Sequence, residues 1–174
     1  MRTLLIAAGM LAATPASAEV LSASGNGFEI RHSANLVIPQ ARAYAAFGQI
    51  SQWWSKDHSY SGDASRLSLQ LRPGGCFCET LDGGGGVEHL RIAYLQPGER
   101  VVMTGSLGPL LYEGTSGAMD IQFEKIAGGT RIVMTYRVAG FARGNAATIA
   151  PAVDQVLGEQ MRRLRIFAAG SGRR

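Results

Sequence analysis

Alternating apolar and polar positions predict β-strands over most of the central part of the chain. From Phe28 to Ile38 the apolar residues recur at every second position, which is the period of a half-buried strand. Further strands are predicted near residues 67–71, 76–81, 87–95, 100–107, 116–126 and 130–139. The turns between them are short and rich in glycine. Because parallel neighbours need long crossovers, such turns predict an antiparallel sheet of about seven strands.

Helical spacing replaces this alternation at two places. The stretches PQARAYAAFGQI and SQWWSKD, after the first strand, predict two short helices. Between Thr148 and Ala168 the apolar residues recur three and four apart and form one stripe, which predicts a long amphipathic helix. That helix can cover one face of a curved sheet. The order of elements therefore predicts an α+β helix-grip fold, with the long C-terminal helix packed across the sheet over a cavity.

The first residues have the pattern of an export signal. Residues 1–18, MRTLLIAAGMLAATPASA, contain one basic residue, an apolar run and small residues in an A-x-A arrangement. We therefore predict a signal peptide over 1–18, a single domain over 19–169 and a flexible tail over 170–174. The mature chain would begin at Glu19 and be periplasmic or secreted. No segment reaches the roughly 18 consecutive apolar residues that a transmembrane helix needs.

The charge of the chain indicates no nucleic-acid partner. The formal net charge is +4, and much of the basic excess lies near the C-terminus, at Arg162, Arg163, Arg165, Arg173 and Arg174. The first three suit the last turns of a helix, where cations complement the helix dipole. The sequence gives no indication of oligomeric state.

Four stretches resemble the SRPBCC or START-like superfamily: WWSKDHSYSGDASRLSLQLRPGGCFCE, VEHLRIAYLQPGERVVMTGSLGPL, GGTRIVMTYRVAG and APAVDQVLGEQ. The most telling parts are the Trp53-Trp54 pair, the Pro-Gly-Gly turn at 73–75 and Gly129-Thr130-Arg131. The branch they resemble is that of secreted bacterial homologues of the activator of the heat-shock-protein-90 ATPase. The resemblance covers roughly Phe28 to Ala168 and implies a cavity that takes apolar ligands. Members of the superfamily range from lipid carriers to cyclases and hydrolases, so the resemblance implies no single reaction.

The stretch GGCFCETLDGGGGVEH contains two thiols, two acids and a histidine around a run of glycines. A five-residue loop over 82–86 would put Cys76 and Cys78 on the cavity face, and Glu79 opposite His89 on the other face. In an extended strand the two cysteine Cα atoms would lie about 6.6 Å apart, near the upper limit for a disulfide. We favour buried thiols in a hairpin. A disulfide, or a metal site formed with His89, are the alternatives.

Binding of a small apolar or amphipathic, lipid-like molecule in the cavity is the favoured function, without a cofactor or a metal. The residues predicted to line the cavity are Trp53, Trp54, His58, Tyr60, Leu90, Ile92, Tyr94, Met103, Met119, Met134, Tyr136, Val153, Leu157 and Met161. One alternative is a cyclase or hydrolase that uses Glu88, His58 or Tyr94 as acid or base. Another is a protein-interaction module with a filled core.

Overall fold

The computed structural model describes residues 18–140 and 145–170, so most of the predicted signal peptide and residues 171–174 of the predicted tail lie outside the described residues. The strands are β1 (Ala18–Ser24), β2 (Gly27–Leu36), β3 (Leu67–Leu69), β4 (Cys76–Thr80), β5 (Gly86–Gln96), β6 (Arg100–Gly105), β7 (Ser116–Ile126) and β8 (Gly129–Ala139). The helices are α1 (Gln40–Gly48) and α2 (Ala146–Gly170). Single 3₁₀ turns occupy Ile50–Gln52 and Lys56–His58, and a longer 3₁₀ segment occupies Gly108–Glu113.

The described strands form one antiparallel sheet in the order β1-β2-β8-β7-β6-β5-β4-β3. The chain therefore runs as a meander from β3 to β8, and β8 then pairs with β2. The inner face is apolar because alternate residues of β2, β7 and β8 point to it, as the period-two pattern predicts. Together with α2 across the sheet, this is the helix-grip fold. No helix among the described residues is both long enough and apolar enough to cross a bilayer.

Helix α2 packs against β1, β2 and α1, and a glycine permits its close approach to the sheet. A Cβ at Gly158 would lie 3.0 Å from the ring of the buried His32. Beside it, Nε2 of His32 lies 2.9 Å from Oδ1 of Asp154 on α2. The apolar stripe of the helix, which includes Leu157, Met161 and Leu164, is buried against the core as its spacing predicts.

The structure contains one strand that the sequence pattern did not predict. Strand β1 pairs with β2 through a turn at Gly25 and Asn26, which makes eight strands in the described part of the chain instead of about seven. Most side chains of β1 that are described are exposed, so the strand lacks the alternation that would have identified it. The second short helix predicted after β2 consists only of the two short 3₁₀ turns.

The hairpin of β4 and β5 differs from its predicted register. Cys76 and Cys78 form a disulfide, with their Cα atoms 5.4 Å apart, so the preference for free buried thiols was wrong. The two cysteine Cα atoms lie closer together than in an extended strand, and this shortening coincides with a β-bulge. At the bulge Phe77 pairs with Leu90, but Cys78 pairs with Glu88. The bulge leaves His89 as the extra residue. Phe77 and Glu79 consequently face the core, while the cysteines are half-buried on the other face, opposite to the prediction.

A second bulge changes the outer part of β5. The pairing with β6 shifts between Ile92 and Tyr94, so strict alternation does not continue past Ile92. Tyr94 is 51% exposed, and Glu88 is exposed in an ion pair with Arg91. Glu88 and Tyr94, which were considered as acid or base residues of the cavity, therefore do not line it, because strand phase cannot be carried across a bulge.

Candidate functional site

A cavity of about 510 Å³ opens at the end of the molecule where the first half of α2 passes over the 3₁₀ segment Gly108–Glu113. Helix α2 forms an apolar wall, and the 3₁₀ segment with the chain around Trp54–Tyr60 forms the rest. The lining residues are Trp54, Asp57, His58, Ser59, Tyr60, His89, Leu107, Gly108, Pro109, Leu110, Tyr112, Ile149, Ala152, Val153, Val156 and Leu157. The size is that of a small-molecule pocket.

Hydrogen bonds hold α2 against the segment that carries Trp53 and Trp54. The backbone N–H of Ser55 donates to Oε1 of Gln160 at 2.8 Å, and Nε of Arg163 donates to the carbonyl oxygen of Trp53 at 2.8 Å. Nε2 of His58 lies 3.2 Å from Oε2 of Glu159. These contacts fix one wall of the cavity relative to the other.

Two buried ionisable residues, Glu79 and His89, are paired at the wall of the cavity. Nε2 of His89 lies 3.0 Å from Oε2 of Glu79. The same carboxylate accepts hydrogen bonds from the backbone N–H groups of Tyr60 at 3.1 Å and Ser61 at 2.5 Å. The side chain of Glu79 is fully buried and that of His89 is 5% exposed. Glu79 thus connects the loop that carries Tyr60 to strands β4 and β5.

The environment favours a charged Glu79 and a neutral His89. Burial tends to raise the pKa of Glu79, but the hydrogen bonds from Ser61, Tyr60 and His89 outweigh it and lower that pKa below its ordinary value. Burial lowers the pKa of His89, against the opposite effect of the Glu79 charge. Burial also lowers the pKa of His32, against the opposite effect of Asp154. At neutral pH both buried rings are therefore neutral.

These pKa shifts predict that acid destabilises the fold. His32 and His89 have lower pKa values folded than unfolded, so the unfolded chain takes up protons first as the pH falls below about 6.5. The contribution of these two histidines to the free energy of unfolding is fully present above that pH and is lost as the pH falls through their folded pKa values. The slope should approach about 1.4 kcal/mol per pH unit for each histidine. Urea unfolding across this range measures the slope, and H89Q should reduce it; a stability independent of pH down to about 5 would contradict both shifts.

The structure brings five of the residues predicted to line the cavity into its wall. These are Trp54, His58, Tyr60, Val153 and Leu157. Trp53 belongs to the core instead: it is 2% exposed and stacks on Phe47. The two neighbouring tryptophans thus have different positions, one in the core and one at the cavity.

The other predicted lining residues on the sheet and α2 are packed in the core and leave the centre of the sheet filled. They are Leu90, Ile92, Met103, Met119, Met134, Tyr136 and Met161. The Tyr136 hydroxyl illustrates this, because it accepts a hydrogen bond from the N–H of Leu107 and donates to the carbonyl oxygen of Gly105. Burial raises the pKa of Tyr136 to about 12, so it remains protonated. The cavity lies at one end of the helix and not over the middle of the sheet.

Most of one wall of the cavity was not predicted from the sequence. Strand assignment ended near Leu107, so Pro109, Leu110 and Tyr112 were not considered as lining residues. An apolar run after a glycine and before Gly114 was the available signal. His89 was placed on the opposite face, and no local pattern could have corrected it because the bulge depends on pairing with β4.

The residues around the cavity do not form a metal centre in the described part of the chain, where no three His, Cys, Asp or Glu side chains converge. The cysteines considered as ligands together with His89 are joined to each other by the disulfide.

Comparison with known proteins shows the fold. No family model matches the sequence, and no curated protein does. An uncharacterised protein from Rhizobium leguminosarum has 22% identity and a TM-score of 0.61, with 89% of this chain and 98% of that chain covered. CalU16 from Micromonospora echinospora has 12% identity and a TM-score of 0.60, covering 90% and 86%. Ara h 8.0201 has 12% identity and a TM-score of 0.57, covering 83% and 99%.

Proposed function

We propose that the protein binds a small apolar or amphipathic molecule in the cavity between α2 and the 3₁₀ segment Gly108–Glu113. The observation that carries this proposal is the cavity itself, which is about 510 Å³ in volume and walled mainly by apolar side chains. Pockets of this size and composition bury most of the surface of a small organic ligand. The core over the middle of the sheet is filled, but a pure interaction module would not need the additional cavity at the end of the helix.

A variant that fills the cavity tests the proposal. Val153 lines the wall on α2, and V153W would place an indole in the space a ligand needs. Fluorescence titration with N-phenyl-naphthylamine, a neutral apolar probe, should show binding to the native protein and at least about tenfold weaker binding to V153W, the loss of about 1.4 kcal/mol.

The matched control for this experiment is I166W on the same helix. Ile166 is 56% exposed and does not line the cavity, so the control adds the same indole elsewhere. I166W should bind the probe as the native protein does. Equal binding by V153W and the native protein would contradict the proposed site. Independently of these variants, native mass spectrometry of the protein isolated from its own host would identify any ligand that co-purifies.

Acid–base catalysis in the same cavity is a second candidate, favoured by the Glu79–His89 pair. A histidine oriented by a carboxylate is a frequent general base, and it lies here at the wall of an apolar pocket. Glu88 and Tyr94, which were also considered as acid or base residues, are exposed on the outer face. Release of a chemically changed molecule by the native protein, but not by H89Q, would distinguish catalysis from binding.

We further propose that the protein is exported and works in an oxidising compartment. The N-terminal pattern of residues 1–18 supports export. The Cys76–Cys78 disulfide supports the compartment, because disulfides persist in the periplasm and outside the cell and are rare in the cytosol. On the resemblance of its sequence motifs, we also propose that the chain belongs to the branch of secreted bacterial homologues of the activator of the heat-shock-protein-90 ATPase. N-terminal sequencing of the mature protein tests the cleavage before Glu19.

A further inference from the structure

The polar part of the cavity wall is built around the ring of His89. Two aromatic rings flank it, Phe77 with centroids 4.7 Å apart and Tyr60 at 5.8 Å. Its Nε2 atom is bonded to Glu79 at 3.0 Å. The ring therefore packs against two aromatic rings and is bonded at one edge, and its remaining polar atom is Nδ1.

The hydrogen bonds fix which nitrogen carries the proton. Glu79 already accepts from two backbone N–H groups, as only an ionised carboxylate can readily do, so its contact with His89 requires a donor on the ring. A neutral ring that donates from Nε2 has a bare lone pair on Nδ1. Within residues 18–140 and 145–170, no protein group bonds to Nδ1 of His89. His89, which lines the cavity, therefore presents an acceptor that no described protein group bonds.

The backbone around His89 shows how the chain presents this acceptor. His89 is the extra residue of the bulge, so it and Leu90 are both buried although they are adjacent in the strand. Gly105 on β6 makes room for the bulge: its φ is +144°, and a Cβ there would lie 2.7 Å from the carbonyl oxygen of His89. An imidazole in this place is a costly burial of a polar ring unless a partner bonds to it.

We propose that Nδ1 of His89 is the recognition point for a hydroxyl or other O–H or N–H donor on the ligand. This inference rests on the proposed binding function. It narrows the class of ligand to molecules with an apolar body that ends in an alcohol or phenol. The apolar wall on α2 takes the body, and the His89 side takes the donor. Glu79 acts as a positioning residue, because it fixes the tautomer without touching the ligand.

Two probes with the same ring system separate this subsite from general apolar binding. 2-Naphthol has a hydroxyl donor, and its methyl ether has the same ring system without one. The native protein at about pH 8, where histidine is neutral, should bind the naphthol about tenfold more tightly than the ether, the worth of one buried hydrogen bond. In H89F, which keeps a ring between Phe77 and Tyr60, the ratio should fall to about one through weaker naphthol binding.

Nitrogen NMR of the native protein provides a second readout that does not depend on a variant. The Nδ1 resonance of His89 should be that of an unprotonated nitrogen and should shift with naphthol but not with the ether. Equal affinities for the two probes, or a proton on Nδ1, would contradict the proposed hydrogen bond to His89 but would leave the proposal of apolar binding intact. Failure of both probes to bind would overturn the proposed function, and the subsite with it.

Discussion

Replacing Glu79 by alanine should lower the free energy of unfolding by about 3–5 kcal/mol, since the change leaves three hydrogen-bond donors without their acceptor. Three donors lose their acceptor at once: the N–H groups of Tyr60 and Ser61, and Nε2 of His89. The side chains of both Glu79 and His89 are buried. Urea unfolding at neutral pH measures the change.

Glu88 provides the matched control for this experiment. It is an acid on the neighbouring strand, but it is exposed and paired only with the exposed Arg91. E88A should therefore change stability by less than about 1 kcal/mol. E79Q, which keeps the shape but not the charge, should lie between the two. A loss for E79A no larger than that for E88A would mean that the pair contributes nothing to the fold.

Replacing Trp53 by alanine should also cost about 3–5 kcal/mol, because it leaves a large void in the core. The indole is 2% exposed, stacks on Phe47 and lies against Trp54. Its Nε1–H donates to the carbonyl oxygen of Phe47 at 3.2 Å. The surrounding aromatic cluster is rigid, so little collapse of the void is expected. Thermal or urea unfolding gives the measurement.

Tyr112 is a suitable aromatic control for Trp53. It is 68% exposed at the mouth of the cavity, so Y112A should change stability by no more than about 0.5 kcal/mol. W53F should recover part of the loss, since a benzene ring fills part of the space. If W53A were as stable as Y112A, the assignment of Trp53 to the core would be contradicted.

The fold could be predicted from the sequence because its signals are local. The apolar stripe of α2 and the alternation of β7 and β8 continue over many residues. Every period of each pattern indicates the same buried face of its element. Strand β1 could not be predicted in this way. Its described side chains are mostly exposed, so it has no alternation of buried and exposed residues. The strand is defined by its backbone pairing with β2, which the spacing of residues does not indicate.

The candidate site was only partly predictable. Trp54, His58 and Tyr60 were selected because aromatic and titratable residues in a loop often contact ligands, and the structure places them at the cavity. His89 was assigned to the wrong face. The error came from continuing period-two alternation through a strand that contains two bulges, each of which reverses the face of every later side chain.

The sequence by itself determined the order of elements, the antiparallel sheet and the apolar face of the C-terminal helix, because these depend on residue spacing within each segment. Only the tertiary structure decided that Cys76 and Cys78 are bonded, that His89 points inward to Glu79, and that the free space lies beside Gly108–Glu113. Each of these depends on distances between segments far apart in the chain or on a local distortion of the strand. Side-chain periodicity contains no information about either.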